Sequence, residues 1–214
     1  MSISIISEGC NQLLVTLLDQ VTDFILPLST DKHERVRWAV CHAVGQLCMY
    51  FSPVFQIKYH QKIMQIVKQC LEDNSHDRIQ SQAAITITFF CNDNPNIKLI
   101  MESYLQDLLV KLVEVIKQGK PLVIEQSVTA VAVIATCVTT KFVRYYADFI
   151  PFLKSILFTA TADNLSKLRG KAIEAISLIA VAVGKQTFLP DAKEILDAML
   201  NIQCKIFFLP LLNV

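Results

Sequence analysis

The sequence predicts an all-α fold, a row of antiparallel helix pairs stacked into an α-solenoid, and three observations carry that prediction. Only 5 Gly and 7 Pro punctuate 214 residues. That is too few to close many β-hairpins, whereas long helices with short connections need few turn residues. Apolar residues make up 53% of the chain against 18% charged, enough for a sizeable core, and they recur at helical spacing. The third observation is recurrence, since helices of similar pattern return along the chain in pairs.

Apolar spacing and breakers together place helices at 12–28, 31–49, 54–72, 76–91, 99–118, 121–139, 142–160, 164–183 and 190–203. In the first, Pro27 lies near the end and predicts a kink. The second carries a broad apolar stripe, Val36, Val40, Ala43, Val44 and Leu47. Pro53, Pro95, Pro121 and Pro190 fall between helices or in a first turn, where a missing N–H costs little. Pro151 sits inside the seventh helix, a second kink site. The eighth repeats the wide stripe with Leu165, Leu168, Ala172, Ala175, Ile176, Ile179 and Val183, and Gly184 stops it. Stripes this wide fit a helix that packs on its own partner and on both neighbouring repeats.

The second helix of each pair opens on an acid followed six residues later by an arginine: Asp31/Arg37, Glu72/Arg78 and Asp163/Arg169. In the intervening copy, Gly119 and Glu125 stand in their place. A two-helix period of 40 to 47 residues is the HEAT or armadillo signature, and about four to five repeats fit, wound as a right-handed superhelix. The acid and arginine pairs read as a structural ladder along the inner helices, setting register more than stability, since exposed pairs contribute roughly 0 to 1 kcal/mol. Residues 1–203 read as the repeat body. Ile3, Ile5 and Ile6 look like the tail of a second helix, so the chain reads as a mid-repeat excerpt of a longer solenoid. Residues 204–214, with one charge and no visible helical face, read as a tail foreign to the repeat.

The same residues argue against several functions. Mean hydropathy is high, at +0.43, yet the best window for a membrane span, Pro121 to Val143, carries Glu125, Gln126 and several threonines. Met1 to Cys10 has no basic residue ahead of an apolar run, unlike a signal peptide. Seven cysteines without a CxxC pair predict reduced, buried thiols. A net charge of +1 gives no general nucleic-acid footprint. Val183 to Thr187 has only the end of a phosphate loop: Ile179 and Gln186 stand where the loop needs Gly and Ser or Thr. Cys41 and Cys48 share a helix face, but His42 points about 100° away from Cys41, so no tetrahedral metal site is expected. No Ser, Cys or Thr nucleophile is spaced with a base, and neither enzyme activity nor cofactor is expected. Phe142, Tyr145, Tyr146, Phe149 and Phe152 read mainly as core, with outer-face pockets for a partner's aromatic side chains as the lesser reading.

The segments Glu34-Arg35-Val36-Arg37-Trp38-Ala39-Val40-Cys41-His42-Ala43-Val44-Gly45-Gln46, Phe51-Ser52-Pro53-Val54-Phe55-Gln56, Lys141-Phe142-Val143-Arg144-Tyr145-Tyr146 and Leu168-Arg169-Gly170-Lys171-Ala172-Ile173-Glu174 resemble the middle HEAT repeats of nuclear import receptors. These are the karyopherin-beta family, and the importin-five branch is the nearest, over about 3–203. The resemblance implies a non-enzymatic carrier of basic cargo that shuttles between cytoplasm and nucleus. It also implies release by the GTP form of Ran, mainly through repeats absent here, and contact with Phe-Gly nucleoporins. No nucleic acid or membrane is implied. Periodicity offers Gln46, Gln80, Gln82, Glu125, Gln126, Lys171 and Glu174 as concave-face cargo contacts. Relatives in this branch are acidic, whereas the run Ile134 to Thr140 carries no acid, so impaired cargo binding is expected of this chain alone. A HEAT scaffold or adaptor subunit, or a truncated paralogue, fits the same residues.

Overall fold

A computed structural model of the chain describes residues 9, 11–92, 94–118, 120–160 and 162–208. They are helical almost throughout, with no strand among them. The helices are α1 (Asn11–Thr16), α2 (Leu18–Ile25), α3 (Glu34–Tyr50), α4 (Val54–Leu71), α5 (Asp77–Phe90), α6 (Pro95–Gln118), α7 (Pro121–Val138), α8 (Tyr146–Thr159), α9 (Ser166–Val183) and α10 (Lys185–Phe208). Pairs α2/α3, α4/α5, α6/α7 and α8/α9 follow one another, and α10 begins the next.

Departures from the predicted helices trace to single residues. The helix expected over 12–28 breaks at Leu17 and ends in a 3₁₀ turn, Leu26–Thr30, around Pro27, because proline supplies no N–H for an α-type bond. Thr139 ends α7 at φ 50°, a left-handed conformation that a β-branched residue rarely adopts. The chain then runs through a 3₁₀ segment, Thr139–Tyr145, before α8 begins. Pro95 opens α6 four residues before the expected start. Gly184, at φ 80°, stops α9 as its sequence position predicts. That one residue is the whole break, so α10 starts at Lys185, Pro190 lies inside it, and the helix continues to Phe208, past the expected end. Residues 1–8 and 209–214, including the isoleucines read as a helix tail, lie outside the described residues.

The second helices of the pairs stack closely, α3 on α5, α5 on α7 and α7 on α9, while the first helices meet over shorter stretches. The row therefore closes toward the second helices, which form its inner layer. Burial follows from this. Outer helix α4 buries one face, with Phe55, Tyr59, Ile63, Met64, Ile66, Val67, Cys70 and Leu71. Inner helix α5 is flanked on both sides and buries every residue from Ile79 to Ala84. Its neighbour α7 is as enclosed, with Ala130, Val131, Ala132, Ile134 and Ala135 all covered. The stretch Pro121–Thr159 is long and apolar enough by composition to cross a membrane, but it is two helices joined by the 3₁₀ segment, and 61% of its apolar window is buried inside the stack. Phe142, Tyr146 and Phe149 are buried, with Tyr145 and Phe152 packed against them. Cys41, Cys48, Cys70, Cys91 and Cys137 are buried thiols. Burial pushes the Cys48 thiol up, and contact with Cys70 together with burial does the same to Cys41.

Candidate partner-binding surface on the inner helices

Counting from the first residue of each inner helix places Arg37, Gln80 and Arg169 at the same fourth position of α3, α5 and α9. They do the same work. Arg37 donates through Nη1 to the carbonyl oxygens of Asp31 and Lys32, at 2.9 and 3.1 Å. The Gln80 amide donates to Leu71 O at 3.0 Å, closing the end of α4, and Arg169 donates to Ala160 O at 2.5 Å, closing the end of α8. Each supplies a donor to carbonyls that the preceding helix or turn leaves without an intrahelical partner. Among the described residues, Arg37 alone of the three also makes an ion pair, to the Asp73 carboxylate of the next repeat at 2.6 Å.

This register corrects the ladder read from sequence. Arg78 is two residues out of step with Arg37 and Arg169; its equivalent is Arg35, 43 residues earlier, at the second position of α3. Asp31 offers Arg37 its carbonyl, and its carboxylate accepts instead from the His33 N–H at 2.8 Å. Glu72 pairs with Lys111 at 3.1 Å. The side chain of Asp163 lies outside the described set. Regular ion pairs instead join successive outer helices: Asp19 to Lys58, Asp23 to Lys62, Lys68 to Asp107, Glu72 to Lys111, and Lys154 to both Asp191 and Glu194. Outer helices meet over shorter stretches, and long lysine side chains reach across the gap between them.

The seven residues picked as inner-surface contacts divide by burial. Gln80 is consumed by the α4 end and by Asn74 Oδ1 at 3.1 Å, and Gln82 is covered. Glu125 is buried and held by Lys167 at 2.9 Å. These three do not reach the surface, because the flanks of α5 and α7 face neighbouring inner helices. Gln46, Gln126 and Lys171 are half-buried, and Glu174 is exposed. Lys171 and Glu174 pair with each other at 2.7 Å. The carboxylate at the first position of α5, Asp77, is held by Lys120 at 2.7 Å. The acids of inner helices α5, α7 and α9 are thus neutralised from within.

Sequence reasoning missed a groove on the inner layer. A groove of about 890 Å³ lies at the amino ends of α3 and α5, lined by Glu34, Arg35, Trp38, His76, Arg78 and Lys120 among others. Trp38 stacks on His42 with ring centroids 5.1 Å apart. The signal that could have found it is the recurrence of Arg35 in Arg78 at the true repeat spacing.

Known proteins place this array. Residues 1–47 match the model of the HEAT-like repeat, and residues 55–207 match that of the interferon-related developmental regulator family. Importin subunit beta-3 of Saccharomyces cerevisiae is 33% identical over 95% of this chain and 18% of its own length. A probable importin-5 homolog of Dictyostelium discoideum is 29% identical over 95% of this chain and 19% of its own length. The crystal structure of the karyopherin Kap121p bound to the SUMO protease Ulp1p superposes with a TM-score of 0.88 at 31% identity, over 96% of this chain and 19% of that one. The same karyopherin has been solved with Nup53p, Pho4p and Ste12p. The chain thus spans about a fifth of the length of these relatives. Residues 55–207 are helix pairs that the importins also match, and the importin matches extend the likeness across α2 and α3. In sequence and fold together, nearly from end to end of what is described, the chain is homologous to a stretch of the HEAT-repeat karyopherins, the importin family.

Proposed function

We propose that this chain is a stretch of the cargo-bearing and pore-contacting surface of a nuclear import receptor, a non-enzymatic carrier working between cytoplasm and nucleus. The observation that carries the reading is the fold match over 96% of the chain to a karyopherin solved with a protein bound. In this reading Gln46, Gln126, Lys171 and Glu174 face cargo from the inner layer. Each outer helix from α2 on also exposes an apolar side chain: Phe24, Val54 and Ile57, Leu99 and Val110, Phe158, and Leu189. Such sites between outer helices suit the small aromatic anchors of Phe-Gly repeats.

Basic cargo gains little from this stretch alone, since the carboxylates of inner helices α5, α7 and α9 already hold lysines. The GTP form of Ran is placed mainly on other repeats of the receptor. Immobilised Phe-Gly repeat segments are expected to retain the full chain at physiological salt, and Phe24→Ser with Phe158→Ser to release it. Absence of retention refutes the import reading in favour of a scaffold built from the same repeats. GTP-locked Ran is expected not to retain the chain.

A further inference from the structure

The groove at the amino ends of α3 and α5 is chemically unlike the rest of the inner surface. At the amino ends of α7 and α9 the cations are neutralised by a carboxylate of the preceding inner helix: Lys120, just before α7, by Asp77, and Lys167, at the second position of α9, by Glu125. Arg35 and Arg78 occupy the second position of α3 and α5, both exposed, and neither makes a hydrogen bond or ion pair with any described residue. His76 is turned toward Asp73 at 3.2 Å. That leaves Glu34 as the one carboxylate of the lining without a cationic partner among the described residues, against two guanidinium groups. Between the arginines the lining is apolar, with the half-buried Trp38, Ala39 and the buried Ile79. Arginine is suited to carboxylates because its planar fork donates two parallel bonds, and a flat indole beside it accepts an aromatic or aliphatic side chain.

We infer that this groove binds an acidic segment of a protein partner, with carboxylates on Arg35 and Arg78 and an apolar side chain laid against Trp38. The inference stands apart from the import reading: it rests on charge and shape at one groove of the inner layer, and retention by Phe-Gly repeats on the outer helices neither implies nor excludes it.

Trp38 is the only tryptophan in the sequence, so its emission reports occupancy directly. The full chain is titrated with a peptide of alternating Glu and Phe, with a Lys and Phe peptide of equal length, and with a single-stranded oligonucleotide of equal charge to the acidic peptide. The acidic peptide is expected to change Trp38 emission saturably, and its affinity to fall as salt is raised. Arg35→Glu with Arg78→Glu is expected to weaken binding at least about tenfold, roughly 1.4 kcal/mol. Because neither arginine makes a hydrogen bond or ion pair with a described residue, the thermal midpoint of that variant should stay near the wild-type value, which separates loss of binding from loss of fold. Equal binding of the lysine peptide, indifference of the acidic peptide to the double substitution, tighter binding of the oligonucleotide, or no saturable binding by emission or calorimetry each overturns the proposal.

Discussion

Gly45→Ala tests how closely the inner helices are packed. Gly45 lies in the interior of α3, where exchanging glycine for alanine ordinarily stabilises a helix by about 1 kcal/mol. Here the added Cβ would meet Thr86 Oγ1 at 3.0 Å, Phe89 Cδ2 at 3.2 Å and Thr86 Cα at 3.5 Å. The first two are inside ordinary van der Waals contact. Phe89 is half-buried and can yield, but Thr86 cannot do so freely. Its hydroxyl sits 3.0 Å from Cys41 O and 2.9 Å from Gln82 O, and it contacts Cys41 Sγ at 3.5 Å. Rotating it away loses a buried hydrogen bond, about 1 kcal/mol net, and otherwise α5 must retreat from α3 by a few tenths of an ångström. Overpacking of that kind costs about 1–3 kcal/mol. Against the propensity gain, the balance is a net loss of about 1 kcal/mol, or about 2–4 °C in the melting midpoint of a chain this size. In a Thr86→Ala background the obstruction is gone, and Gly45→Ala should raise the midpoint instead. Far-UV circular dichroism melts of the four proteins form a double-mutant cycle. A rise on Gly45→Ala in the otherwise wild-type chain, or the same shift in both backgrounds, would refute the argument that this glycine exists for close approach.

Two further substitutions probe the connections between layers. Asp73 receives Arg37 Nη2 at 2.6 Å, Ser75 Oγ at 2.8 Å and faces His76; burial alone would raise its pKa, but these hydrogen bonds outweigh burial and hold the carboxyl below its usual value. A folded-state value below the unfolded one means that the stabilisation is complete above about pH 4, the unfolded value, and is lost as pH falls through the lower folded value. Asp73→Asn is expected to cost about 1–3 kcal/mol at neutral pH, with the difference from wild type shrinking below about pH 4; a difference constant across that range in denaturant titrations would count against the linkage. Gln56 is fully buried, and its amide donates to Cys48 O at 2.9 Å and Phe90 O at 3.5 Å, tying outer helix α4 to the ends of α3 and α5. Gln56→Ala leaves those carbonyls without that donor and opens space, for a loss of about 2–4 kcal/mol; a change in the urea midpoint equivalent to less than about 0.5 kcal/mol would show that the bridge is not structural.

The importin match and the structure agree on the stack, and the charge pattern separates its two layers. Outer helices are joined by exposed lysine and carboxylate pairs of the kind that contribute little individually. Inner helices are joined mainly by apolar contact and by side chains that close helix ends, with the pairs Lys120–Asp77 and Lys167–Glu125 beside them. A scarcity of free carboxylates on the inner surface is what the +1 net charge looked like from the sequence. In the structure it has a more local form: the acids on α5, α7 and α9 are present but held by lysines, and two arginines are left over in one groove.

Helix identity, order and approximate extent were legible in the sequence because they depend on spacing along the chain. Apolar residues at helical period, Pro121 at a first turn and Gly184 at a stop act within a few residues of themselves, and each does in the fold what its type predicts. The wide stripes of α3 and α9 likewise announced helices packed on more than one element, α3 on α4 and α5 and α9 on α7 and α8. Which polar residue meets which was not legible, since that depends on groups about 40 residues apart brought together by stacking. Arg37, Gln80 and Arg169 differ in type yet share one structural duty, because any long donor at that place can close the preceding helix. Arg78 shares its type with Arg37 but stands two residues away, pointing into a groove. Periodicity offered Gln80, Gln82 and Glu125 as surface residues, and packing of inner helix on inner helix took them inside. Sequence alone determined a stack of helix pairs of the importin kind. Tertiary structure decided which of its charges are satisfied and which are left for a partner, because a side chain's neighbours in a solenoid belong to the next repeat.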